Sequence, residues 1–238
     1  MSKKNALIVS AHSADFVWRA GGVVALYAER GWNVHILCLS FGERGESARL
    51  WKQSNASLET VKQIRREESE QAAAILGASV SFLDCGDYPL RVNDEALFKI
   101  VDAYRQLKPE FVLTHSFKDP YNFDHPLANH LALEARIIAQ AHGHNPHEEV
   151  LGAPPVFLFE PHQPEQCEWK PDTFVDISSV WDKKYRAFQV MGAQEHLWEY
   201  YTRVGLQRGA QASRGATKKS KYAEAFQCVY PRVTDHLE

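Results

Sequence analysis

His12 and Asp15 stand three residues apart directly behind a short apolar run, Ala6 to Ala11, a spacing that lets an imidazole and a carboxylate converge on one ion. His125 can complete a facial His-Asp-His set with open positions for water or substrate, which is the arrangement of a catalytic divalent metal, zinc first among the candidates. The alternative is structural, because Asp15 equally suits the N-cap of a following helix. Farther on, Gly42-Glu43-Arg44-Gly45-Glu46 joins two glycines, where a backbone can pass close to a ligand, to two carboxylates and a guanidinium. The same segment also fits a polar surface turn. Arg44, Arg49 and Lys52 suit substrate carboxylates, arginine through its bidentate fork, and suit a solvated surface just as well. His162, between Pro161 and Gln163, has the placement of a general acid or base titrating near neutrality, or of a hydrogen-bonded loop histidine. His115, His130, His142, His144, His147 and His196 lack comparable placement, and the group at 142 to 147 reads as a solvated loop.

The elements that must position these groups alternate along the chain. Ala6 to Ala11, Val34 to Leu39, Val80 to Leu83, Phe111 to Thr114 and Val156 to Phe159 are short apolar runs of strand character. Between them lie helical patterns: Val17 to Arg30 ending at Gly31, Leu58 to Leu76 stopped by Gly77, Glu95 to Leu107, and Pro126 to Ala141 with proline in its first turn. Alternation of this kind predicts an α/β fold, a parallel sheet covered by helices. In such a sheet the ligand crevice lies beyond the carboxyl ends of the strands. His12 and Asp15, the loop 42 to 46, the stretch His115 to His125, and Glu160 to Gln163 all fall there. After a loop from Gly143 to Pro155, two more helices are expected near Ser179 to Met191 and Glu195 to Gln207, then a mobile polar loop from Arg208 to Lys221. Trp198, Tyr200 and Tyr201 suit either a core or a subunit interface, and a homo-oligomer is expected.

With 238 residues, one domain spanning 1–238 is the expectation. The formal net charge of −3 arises from 27 basic and 30 acidic residues spread through the chain, which excludes a general pull toward nucleic acid or anionic membrane. A small molecule bound in a local pocket is the expected partner. Cys38, Cys85, Cys167 and Cys228 lie far apart without metal-type pairing and read as buried free thiols. Met1 to Asn5 lead straight into a short apolar run, too brief for a signal peptide or a membrane span, so a cytoplasmic enzyme is expected.

Over roughly residues 5 to 160 these features resemble the PIG-L/LmbE family of zinc-dependent N-acetylglucosamine deacetylases. That family's first strand ends in Ala-His-Pro-Asp-Asp-Glu and its second metal histidine closes His-Pro-Asp-His; here the corresponding segments are Ala11-His12-Ser13-Ala14-Asp15 and Asn122-Phe123-Asp124-His125. The Gly-Glu-x-Gly-Glu loop at 42 to 46, and Arg65-Arg66-Glu67-Glu68 with Ala72 to Gly77, match further family patterns. The resemblance implies a Rossmann-like, mostly parallel sheet with helices on both faces, and metal ligands at His12, Asp15 and His125. Two departures alter the implied chemistry: Ala14 stands where the deacetylases carry their general base, and Asn122 where they carry an oxyanion-stabilising histidine.

Longer runs, among them Lys118 to Asn122, Glu160 to Trp169 and Gln194 to Tyr201, resemble a hydratase branch of the same superfamily. That likeness implies addition of water to a conjugated tricarboxylate of aromatic-acid catabolism to give 4-carboxy-4-hydroxy-2-oxoadipate. It carries a catalytic pair onto Glu46 and His162, with Arg44, Asn122, Arg49 and Lys52 as the expected substrate contacts. The competing expectations are a zinc amidohydrolase of an N-acyl small molecule and a non-catalytic metal-binding relative.

Overall fold

A computed structural model describes residues 3–215, 219–231 and 233. Its centre is a seven-stranded sheet in the order β3-β2-β1-β4-β5-β7-β6. Five strands run parallel: β1 (Asn5–Ser10), β2 (Asn33–Cys38), β3 (Ser79–Phe82), β4 (Phe111–Thr114) and β5 (Val156–Phe159). Beyond them β7 (Ala223–Cys228) pairs antiparallel with β5, and β6 (Thr173–Asp176) pairs antiparallel with β7. The last two strands escaped the sequence reading because neither stands out as an apolar run; β7 reads Ala-Glu-Ala-Phe-Gln-Cys.

Both faces of the sheet are covered, and the strand period of two explains how. In β1, Ala6 and Ile8 join one core cluster with helices α1 (Asp15–Glu29), α3 (Leu58–Leu76) and α6 (Trp181–Gln189), while Leu7 and Val9 join another with α4 (Asp94–Leu107) and α5 (Asp124–Ala139). A one-turn α2 (Ala48–Trp51) and a long α7 (Leu197–Gly215) complete the helices. The helix ends follow their side chains. Ser57 accepts the Thr60 N–H at the start of α3, Asn93 does the same for Ala96 in α4, and Gly77 ends α3 in the left-handed conformation at φ 81°.

The structure alters or decides three sequence expectations. The segment from Arg208, expected as a mobile loop, continues α7 to Gly215, and Arg208 itself is buried against Glu160; residues 216–218 of that segment lie outside the described residues. Tyr201 is buried and stacked on Trp18, and the half-buried Trp198 and Tyr200 pack against the same core, so of the two expectations for these aromatics the core is the one observed. Cys38 and Cys167 are buried as expected, whereas Cys85 and Cys228 are only half-buried; all four are free. No described helix is long and apolar enough to cross a membrane.

Candidate metal and active site

Strand order reverses beside β1, since β2 lies on one flank and β4 on the other, and the crevice at their carboxyl ends gathers the chemistry. His12 leaves β1 and Asp15 opens α1; His125 lies in the first turn of α5 behind β4; Glu46 arrives on the glycine loop behind β2. One ligand atom from each of His12, Asp15, Glu46 and His125 lies within 4.8 Å of the others. His12 Nδ1 is 3.1 Å from Asp15 Oδ2 and 3.2 Å from Glu46 Oε1, and His125 Nε2 is 3.4 Å from Asp15 Oδ1.

Two orphaned atoms test whether this cluster suits a cation. His125 Nε2 and Glu46 Oε2 are buried without a hydrogen-bond partner among the described residues, although buried polar atoms are ordinarily satisfied. Nitrogen and carboxylate donors left free and converging are what a divalent metal takes, so the residues fit one. The outer bonds also fit. His12 Nε2 is 3.2 Å from Asp124 Oδ2 and His125 Nδ1 is 2.8 Å from Asp119 Oδ2, which orients each ring with its other nitrogen toward the cluster.

The electrostatics agree with crowded anions. Burial by itself disfavours a charged His12, but Glu46, Asp124 and Asp15 outweigh it and raise its pKa well above the ordinary value. Burial likewise opposes ionisation of Asp15, and the neighbouring histidines overcome it, holding the carboxyl well below its usual range. Asp124 is brought down to about 2: burial opposes this, and bonds from His12 and the backbone N–H groups of Tyr88 and Leu90 prevail. Glu46 is lowered too, because His12 offsets its burial.

Several participants were not singled out from sequence. His115, set aside there, stacks on His125 with ring centroids 4.2 Å apart and accepts the Ala11 N–H at 2.9 Å. Asp119, Asp124 and Arg19 are buried around the cluster, and Arg19 Nε donates to Asp15 Oδ1 at 3.3 Å. Only the family-like His-Pro-Asp-His register could have hinted at Asp124; the others are joined by the fold alone.

His162 comes from the loop behind β5 and stands within electrostatic reach of Glu46, Asp119 and Arg19. Tyr200 of α7 clasps it twice, donating its hydroxyl to the His162 carbonyl and stacking on the imidazole with centroids 4.2 Å apart. Burial, then Arg19, lowers the His162 pKa, which favours the neutral imidazole.

The expected substrate contacts divide. Arg49 and Lys52 line a cavity of about 720 Å³ together with Glu46, Tyr88, Gln194 and His196. Arg44 is instead engaged with Glu43 at 3.1 Å and Asp87 at 3.8 Å. Asn122 is buried and accepts the Asp124 N–H at 3.1 Å. Ala14 is fully buried in the core cluster, so no proton acceptor occupies that position.

The PIG-L pattern, described as GlcNAc-PI de-N-acetylase, matches residues 7–136. The chain is 64% identical to a 4-oxalmesaconate hydratase of Pseudomonas putida, over 99% of this chain and 93% of that one. A crystal structure of a 4-carboxy-2-hydroxymuconate hydratase from the same species superposes with a TM-score of 0.97 at 64% identity, covering 99% of this chain and 100% of that one. A diacetylchitobiose deacetylase of Thermococcus kodakarensis is 28% identical over 98% of this chain and 86% of its own.

Proposed function

The chain belongs to the PIG-L family, and from that premise we propose that it adds water to the C=C of 4-oxalomesaconate, also drawn as 4-carboxy-2-hydroxymuconate, giving 4-carboxy-4-hydroxy-2-oxoadipate. It acts as a hydro-lyase of gallate catabolism. The observation that carries this is the pairing of a complete ligand cluster with a buried alanine, Ala14, where amide hydrolysis needs its base.

In this reading His12, Asp15 and His125 hold a divalent metal, zinc by the chemistry of the donors. When bound, the metal supplies Lewis acidity beside Glu46. Glu46, kept ionised by His12, takes one proton from water as its oxygen bonds to the carboxyl-bearing carbon. The electron pair of the C=C moves to the adjacent carbon, where His162 delivers a proton; the two side chains then exchange protons with solvent. His162 must be protonated for this, and the trianionic substrate supplies the negative charge that raises its pKa from the lowered resting value. Tyr200 holds the ring in place for the transfer. Arg49 and Lys52 meet the outer carboxylates in the cavity beside Glu46.

The test is spectroscopic. Metal-loaded protein should bleach the 4-carboxy-2-hydroxymuconate chromophore, a chelator should stop it, and N-acetylglucosamine derivatives should release no acetate. An unchanged chromophore in the presence of metal-loaded protein refutes the hydratase reading, and acetate release instead would support amide hydrolysis.

A further inference from the structure

The hydroxyl of the product ends on a carbon that itself bears a carboxylate. On the hydratase reading, then, one carboxylate must come to rest on the reacting carbon between Glu46 and His162, which act on each other electrostatically, whatever the outer cavity does with the others. The surroundings are anionic: Glu46 and Asp124 lie against His12, and Asp15 and Asp119 against His125. A cation is needed there in addition to anything the ligand cluster holds, because like charges in a poorly solvated site repel strongly.

The buried cations near this end of the sheet are mostly committed. Arg65 gives its donors to Glu68, Gln194 and the Phe41 carbonyl. Arg208 is taken up by Glu160 and Gln211. Lys184 is bonded to Glu224 and the Trp18 carbonyl. Arg19 differs. Its Nε donates to Asp15 and its Nη1 to the Glu160 carbonyl at 2.8 Å, while Nη2 has no protein partner among the described residues and is not one of the sealed, orphaned atoms.

Those two bonds fix where the guanidinium stands. Asp15 belongs to the ligand cluster, and Glu160 lies two residues before His162, so Arg19 spans the interval between the cluster and the His162 loop. Its charge is felt at both ends, lowering His162 and acting on Asp119. We infer that Arg19 receives the carboxylate on the reacting carbon through Nη2, and so sets both the orientation of the C=C and the demand for a carboxylated substrate. The planar fork holds Asp15 and the Glu160 carbonyl through two nitrogens and offers a third in a fixed direction, whereas a lysine would have to serve all three partners from one ammonium nitrogen.

Propane-1,2,3-tricarboxylate, an unreactive tricarboxylate, is the probe, titrated calorimetrically into metal-loaded protein. Arg19→Met should bind it about 10- to 100-fold more weakly, the loss of one charge-assisted hydrogen bond, with metal content unchanged. Arg19→Lys, which keeps the charge and protects the fold, should bind it several-fold more weakly and raise KM more than it lowers kcat. Wild-type affinity in Arg19→Met overturns the inference. So does loss of metal in proportion to loss of binding, which would leave Arg19 as a prop for Asp15 only. If Arg19→Met does not fold, wild-type affinity in Arg19→Lys overturns it as well. Because the readout is binding, it stands apart from turnover: wild-type protein that fails to bleach the chromophore refutes the hydratase reading whatever Arg19 does.

Discussion

The inner and outer halves of the candidate site use the same kinds of residue in opposite surroundings. At the carboxyl ends of β1 and β4, His12, Asp15, Asp124 and His125 are buried and bonded to one another or to neighbouring carboxylates. Along the outer cavity Arg49 is 61% exposed and pairs with an exposed Glu195, and outside its lining Arg44 is 47% exposed beside Glu43. Charges at equal separation interact several-fold more strongly where water is excluded. Removing an inner group therefore strands a buried partner, whereas water replaces an outer one. The inner half fixes which bonds are made, and the outer half adjusts how tightly a charged substrate arrives.

The largest test of that contrast lies at the catalytic pair. Glu46→Gln and His162→Ala should each lower turnover on the order of 10² to 10⁴ while metal content stays at the wild-type level. Glu46 also offers an atom to the ligand cluster, so metal analysis sharpens the division: a variant that loses metal along with activity would move Glu46 from base to ligand.

A smaller effect is expected in stability. The folded-state pKa of Asp124, about 2, lies below the ordinary 3.8, so its contribution is fully present above roughly pH 4 and lost as pH falls through 2. In chelator-treated protein, urea unfolding should show Asp124→Asn less stable than wild type by about 2 kcal/mol at pH 7, with the gap closing toward pH 2. A gap independent of pH would mean that the Asp124 carboxylate is not what the fold depends on.

At the exposed end, Lys52→Ala should raise KM by no more than about fivefold at low salt, an increment that fades near 0.5 M salt, with kcat untouched. A salt-resistant loss as large as that of an inner variant would erase the distinction between the halves.

The order of strands and helices was legible in the chain because the apolar periods are strong and their ends are punctuated. Gly77 and Asn93 terminate and start helices by local chemistry alone, and the first five strands appear where the apolar runs predict them. The motifs behind β1, β2, β4 and β5 were legible for the same reason, since in a parallel sheet those loops must share one edge. What was not legible depended on how the chain folds back on itself. Arg19 reaches Glu160 across 141 positions. Asp119 and His115 lie close to His125 in sequence, yet they meet it through the fold of the loop behind β4 and not through any local pattern. The helix through Arg208 reads as a polar loop in the sequence because its polar face is satisfied by Glu160, a partner 48 positions earlier.

The sequence by itself determined the alternating α/β frame and which residues lie at its catalytic edge, because hydrophobic period and helix capping are local. Only the tertiary structure decided which of those residues share one small volume, which are buried enough for their charges to matter, and which cation is left with a free donor between the ligand cluster and His162. Burial and long-range pairing set those outcomes, and neither is carried by the residues one at a time.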